Sequence, residues 1–475
     1  MSKLVKIILI AIGGLVGLLA LSVVALHLFV NPNAYKPQLE AAASRHLGME
    51  VKVEGPLGIS LFPGLFVTLQ DVHIRNHGAE VASAAKAKLG IELLPLLRKQ
   101  VRITTIILNH PTISIERERS GRFNFTTAAT AGGGWSSLKL TNLSFADGTL
   151  HYANEQTGEE FKAESCNLQV HHLQLSQAKR LDPMQGLSFT ADLACRDIRR
   201  GDFTVSDLKI LAHGKSGVFD LQPVSMQIFG ARGIGSVHAD FSGAIAHYTL
   251  RYSLPQFQIA EFFKLLSPRK VAEGSMDFSA NLSLQGSTAD EMRRSLKGQL
   301  SLQGKDLTLT GYNLDEEISR FNSSQNFNLV DVGAFFFAGP LGLVVAKGYG
   351  FSSLLQGTSG SSKIRTLVSK WKVERGVAQA QDVAMATNKN RIALQGRLDF
   401  INNTFDDVTV AVINAEGCAK LQQKITGSFQ KPILEKPSII KTLTGPVRKL
   451  VKAASNLVAG GKCKVFYAGS VAPPK

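Results

Sequence analysis

The chain has 475 residues, with 53 Lys and Arg against 37 Asp and Glu, for a net charge of +16. Only one apolar run is long enough to cross a bilayer, which excludes a polytopic membrane protein and leaves a large body of two or three domains, or one elongated one. The positive excess suits an acidic partner, either anionic lipid or nucleic acid, and charge alone does not choose between them.

The apolar run is Ile7 to Val30, preceded by Lys3 and Lys6 and followed by Asn31-Pro32-Asn33. At about 1.5 Å per residue it reaches roughly 36 Å, enough for a tilted membrane helix. It is too long for a signal peptide and ends without a small-x-small cleavage site, so an uncleaved anchor is expected. Lysines on the N-terminal side place that end in the cytoplasm and the body across the membrane, where lipid is a nearer partner than nucleic acid.

Tyr35 to Leu47 reads as a short helix, with Asn33 as its cap, Pro37 in its first turn and Gly48 as its stop. Beyond it the period changes to two. Val51 and Val53 alternate with polar residues, Ile59 and Leu61 follow, and Ala87, Leu89, Ile91 and Leu93 alternate with Lys86, Lys88 and Glu92. Val101, Ile103, Thr105 and Ile107 form a further set, and Asp147-Gly148 reads as a hairpin turn. Short strands fill 165 to 253. Later, Phe278, Ala280, Leu282 and Leu284 oppose Ser279, Asn281, Ser283 and Gln285. Ile392 with Leu394, and Val408 with Val410 and Val412, repeat the theme. Thr288 and Glu291 form a capping box closed by Gly298, and Asn313 with Glu316 starts another helix. At 446–458 a basic amphipathic helix places Arg448, Lys449 and Lys452 opposite an apolar arc, a candidate contact for anionic lipid.

Four cysteines outside the cytosol are compatible with two disulfides, and four allow three connectivities. Nearness in sequence favours Cys166–Cys195 and Cys418–Cys463, the second stapling the C-terminal tail to the sheet. No Cys-x-x-Cys spacing supports a metal site. Adjacent His171 and His172 point to opposite faces of a strand, and no carboxylate-rich cluster is visible beside His73 and His77. Gly132-Gly133-Gly134 lacks the Lys-Ser/Thr of a phosphate loop, and the glycines at 230–235 open no helix. No nucleophile elbow occurs. The expectation is a protein that is not an enzyme and has no metal or cofactor.

Some twenty alternating strands with few helices predict a mainly β protein, an antiparallel sheet with one apolar and one wet face. That face is either closed by packing into sandwiches or barrels, or left as an open trough that meets a ligand. Periodicity does not separate the two.

The stretch from Asn31-Pro32-Asn33-Ala34-Tyr35-Lys36-Pro37 through Gly48, Val53-Glu54-Gly55, Leu57 to Pro63 and Leu69-Gln70-Asp71-Val72 resembles the start of the AsmA family. Val330 to Gly342, Gly417-Cys418, Ile425 to Ser428 and Cys463 to Val471 are similar to that family's C-terminal domain. The resemblance covers about residues 1–120 and 275–472. It implies an inner-membrane anchor, a periplasmic β-rich body and kinship with bridge-like lipid-transport proteins whose curved sheets carry an apolar groove. The implied order is a cytoplasmic stub at 1–6, a membrane helix at 7–30, β regions at 31–130 and 131–270, and a C-terminal β domain with the basic helix at 271–475. The implied partners are phospholipid and the inner membrane, with outer-membrane assembly proteins as the alternative and no nucleic acid. The implied lining draws on Val51, Val53, Leu61, Leu89, Ile91 and Ile103 in the first half. In the second half it draws on Phe278, Leu282, Leu284, Phe336, Ile392, Leu394 and Val410.

Overall fold

The computed structural model describes residues 32–61, 64–97, 102–126, 140–175, 184–265, 272–311, 313–324, 360–439 and 463–474. The expected span at 7–30, Phe336 and the basic helix with Arg448, Lys449 and Lys452 lie outside these residues. Among the described residues no helix is long and apolar enough to cross a membrane. The chain divides into two compact units, Met1–Gly217 and Val218–Lys475. Both are mainly β, with antiparallel ladders and few helices.

In the first unit a 3-10 turn, Pro32–Tyr35, leads into α1 (Lys36–Leu47). Pro37 sits in the first turn and Gly48, at φ 67°, closes the helix in the left-handed region, as expected. Asn33 is not its cap; its side-chain oxygen instead accepts from the Leu57 N–H at 2.8 Å, tying the turn to the second strand. The strands are β1 (Glu50–Val53), β2 (Leu57–Ser60), β3 (Leu65–Asn76), β4 (Ala79–Ile91), β5 (Ile103–Arg117), β6 (Asn142–Asn154), β7 (Glu159–Leu175), β8 (Leu187–Arg200) and β9 (Phe203–Lys215). A five-residue helix, α2 (Leu93–Leu97), separates β4 from β5, so Leu93 is not a strand residue. From β3 to β9 each strand pairs with the next, all antiparallel except the parallel β5–β6 pair.

Asp147-Gly148 is not a hairpin: β6 runs straight through it, with Asp147 at φ 53°. Asp71, His110, Ser165 and Asp207 adopt the same left-handed conformation on β3, β5, β7 and β9. The flanking ladder pairs place these residues in one line across the sheet. Around Asp71, His110, Ser165 and Asp207 the flanking pairs stay evenly spaced, so neighbouring strands turn together and the line is a crease across the unit. Asp and His tolerate that backbone better than branched residues.

The second unit comprises β10 (Val218–Ile228), β11 (Ala231–Asp240), β12 (His247–Gln258), α3 (Ile259–Lys264), β13 (Ala272–Glu273), β14 (Ser275–Gln285), α4 (Ala289–Ser295), β15 (Lys297–Thr310) and α5 (Leu314–Ser324). It continues with β16 (Ser361–Glu374), β17 (Val377–Ala386), β18 (Arg391–Asp399), β19 (Thr404–Ile413), β20 (Ala419–Gly427), β21 (Pro432–Leu434) and β22 (Ser438–Ile439). The Thr288–Glu291 capping box forms as expected. Gly298 does not close α4; it lies in β15 opposite Leu282, where a side chain would strike the Asn281 backbone. The glycines at 233 and 235 leave room for the Tyr252 ring on the neighbouring strand.

Two apolar layers form in this unit. The larger lies on the inner face of β12–β20 and is filled by Phe257, Phe262, Leu314, Leu367 and Trp371, each at most 1% exposed. The smaller, on the other face, is built from Ala384, Ala393, Ala411, Tyr467 and Val471. Residues 463–474 form its lid.

Candidate apolar groove

Register partners on neighbouring strands share a face, so the ladders can be read as rows crossing the sheet. In the first unit one row is Val67, Leu89, Ile106, Leu143, Val170, Ala191 and Ala212. A second is Leu69, Ala87, Leu108, Phe145, Leu168, Leu193 and Ile210. The parallel row on the opposite face begins Thr68, Lys88, Ile107, Ser144 and Gln169. The unit therefore carries a seven-strand apolar face backed by a largely polar one. Every member of the first row is half-buried, and in the second only Leu69 and Ala87 are fully covered. The described elements outside this sheet are α1, which packs beside β1, and α2, whose Leu93 and Leu94 are 54% and 79% exposed. Neither roofs β5–β9.

The expected lining residues separate into three groups. Leu89, Ile91 and Ile103 sit on this face, half-buried; a register shift between Gly90 and Ile91 returns Ile103 to the side of Ile91. The same shift leaves Ile107 on the polar face, opposite Lys88, and brings Ile106 and Leu108 inward instead. Val51 and Val53 are 7% and 2% exposed. Their strand is held by α1, through Ser44 Oγ to Val51 N at 2.9 Å and Glu40 Oε1 to Val53 N at 2.8 Å. They are core, while Leu61 lies half-buried just past β2.

In the second unit the inner face changes along the sheet. Leu221, Val237, Leu250, Leu282 and Leu284, on β10 to β14, are half-buried. Phe278 is 8% exposed, and Ile392, Leu394 and Val410 are at 0, 2 and 0%. These last three belong to the packed core and offer no surface to an acyl chain. Groups that sequence reading missed are Leu168, Leu193 and Leu250, which complete the rows; only the register reveals them.

Polar features of the groove are few. Tyr252, beside the inner face, buries a hydroxyl that has no hydrogen-bond partner among the described residues, and burial pushes its pKa up to about 12. Cys166 and Cys195 are direct cross-strand partners on β7 and β8 and form a disulfide, as does Cys418 with Cys463. Both expected pairings are present. Contrary to the expectation, His73 has acidic company: Asp71 and Glu80 each lie 3.1 Å from one of its ring nitrogens, and Glu54 is near. Burial opposes protonation of His73, but the two carboxylates outweigh it and raise its pKa. Arg75 approaches Glu54 at 3.9 Å, so the group is an exposed ion-pair network on the polar side.

The model of the AsmA family matches residues 1–194 and 136–332, continuous coverage that includes the middle region where motifs are sparse. Protein AsmA of Escherichia coli (strain K12) is 26% identical over 158 residues, which are 31% of this chain and 25% of that protein. The aligned part thus spans a quarter of the relative's length. With a family match over more than half its residues and a sheet-dominated body, this chain belongs to the AsmA family.

Proposed function

We propose that this protein is a membrane-tethered carrier that shields phospholipid acyl chains on the apolar face of its sheet as they pass between the inner and outer membranes. The observation that carries the reading is the pair of apolar rows crossing β3 to β9, half-exposed and without a described roof. Each methylene removed from water contributes about 0.8 kcal/mol, so a sixteen-carbon chain leaving its bilayer unaided faces a cost of roughly 12 kcal/mol. A continuous apolar strip offsets most of that cost without bond chemistry, and the head group stays in water. Two disulfides support a body in an oxidising compartment, consistent with a periplasmic location behind an anchor at 7–30.

Photo-crosslinking residues placed singly at Leu89, Leu193 and Leu282 in cells test this reading. Lipid adducts from all three are expected, with none from a control at Gln169 on the polar face. Adducts to polypeptide alone would instead support an assembly factor for outer-membrane proteins.

A further inference from the structure

The rim of the second unit carries a cleft where strand ends, α4 and the β16–β17 turn meet. Its volume is 740 Å³, and an adjoining cleft of 620 Å³ shares Ser283, Ser295, Lys297 and Arg375 with it. One wall continues the half-buried apolar face through Tyr248 and Leu284, which are register partners. The other wall carries Arg294, Lys297, Lys372 and Arg375 against only two acids, Glu291 and Glu374.

Both acids are already engaged. The Glu291 carboxylate accepts from the backbone N–H groups of Ser287 and Thr288 at 2.7 and 3.3 Å, which hold its pKa below the usual range. Glu374 pairs with Lys372 at 2.7 Å. Arg293, next to the cleft, pairs with Asp290 at 2.7 Å. Among the described residues, Arg294, Lys297 and Arg375 have no carboxylate within ion-pair distance. Some other cations on the second unit's sheet have partners, as Arg397 has Asp406 and Lys424 has Asp407, whereas these three are unpaired and gathered at one cleft. The last turn of a helix favours cations, which accounts for Arg294, but Lys297 and Arg375 lie outside α4.

We infer that Arg294, Lys297 and Arg375 form a seat for the phosphate of a glycerophospholipid whose acyl chains lie on the adjoining apolar face. The inference rests on the groove reading above and adds to it a head-group site and a preference for phosphate-bearing lipid. Lys297 is the register partner of Ser283 on the polar face, so the seat lies around the strand ends from Tyr248 and Leu284: its charges stand in water and the apolar face begins at the same rim. Two guanidinium groups and one ammonium group supply charge-assisted donors to phosphate oxygens.

The test uses the full chain, purified, with fluorescent phosphatidylglycerol and diacylglycerol of identical acyl chains. The wild-type chain should bind the phospholipid about tenfold more tightly, as expected for a few charge-assisted contacts at an exposed site. Arg294→Gln, Lys297→Gln and Arg375→Gln combined should reduce that preference to less than about twofold while diacylglycerol binding is unchanged. All three side chains are exposed, so folding should survive, as circular dichroism would show. A preference that persists in the triple variant overturns the head-group seat and leaves the groove standing. A wild-type chain that binds neither lipid overturns the groove and the seat together. Equal loss on replacing Lys52, Lys363 and Lys389 by Gln reduces the effect to general charge and also overturns the seat. Competition by glycerol 3-phosphate as effective as by the lipid assigns the cleft to a soluble phosphate and overturns the lipid assignment.

Discussion

At the scale of single residues, the buried hydroxyl of Tyr252 is a cost the fold carries. A buried polar group without a partner is unfavourable by about 1–3 kcal/mol, so Tyr252→Phe should stabilise the second unit by about 1 kcal/mol, read as a higher denaturant midpoint at unchanged slope. A lower midpoint would mean that the hydroxyl has found a partner. His73 makes a pH-dependent contribution of opposite sense to acid denaturation. Its pKa is raised in the folded state, so its stabilisation is complete below the ordinary value of 6.5 and is lost as pH rises through the raised folded value. The first unit should therefore lose stability as pH rises above about 6.5 relative to a His73→Gln variant, whose profile there should be flatter. Parallel profiles for the two proteins would remove His73 from the account.

At the scale of elements, the C-terminal segment is fastened at three points. Cys463 is bonded to Cys418. Arg391, 6% exposed, donates to the carbonyls of Val471, Asn414 and Ala415 at 3.0, 2.7 and 3.0 Å. Asp382 accepts from the hydroxyls of Tyr467 and Ser470. Burial works against the ionised form of Asp382, but those donors outweigh it and lower its pKa. Its contribution is thus present above about pH 4 and lost as pH falls through the depressed folded value. Amide protection factors at 465–473, corrected for the slower intrinsic exchange in acid, should fall on acidification in that range, ahead of those in β17–β19. Arg391→Ala should release the segment more completely, at a cost of about 2–4 kcal/mol to the unit, because several hydrogen bonds to a buried charge are lost together. Cys166–Cys195 acts on the first unit differently. It closes a sequence separation of 29 residues. The chain-entropy estimate for a loop of that size is about 3–4 kcal/mol, so Cys166→Ser with Cys195→Ser should lower stability by that order.

For each unit as a whole, the decisive quantity is apolar area left on the sheet. A charge placed in the row should abolish lipid capture without unfolding a face that is already half wet. Leu193→Arg is expected to lower lipid crosslinking from Leu89 by about tenfold, a displacement of roughly 1.4 kcal/mol, while thermal unfolding changes little. The same substitution at Ile392, fully buried in the second unit, should instead prevent folding. That contrast separates lining from core.

The sequence by itself determined the strand content, the capping box at Thr288, the Gly48 stop and the family, and it favoured the two disulfide pairings that the structure then settled among three connectivities. All of these depend on local composition, on short spacing or on motifs. Alternation also placed Leu89, Ile91, Leu282 and Leu284 on the apolar face. Only the tertiary structure decided which of the alternating residues stay open, because periodicity reports the face of a strand and not what covers it. Leu282 and Ile392 carry the same signal, yet one is half-buried and the other is sealed. The line of left-handed residues through Asp71, His110 and Asp147 was equally hidden. A left-handed residue reverses which of the residues beyond it face inward, as Leu69 and Val72 both do on either side of Asp71, and only pairing with the next strand reveals that reversal.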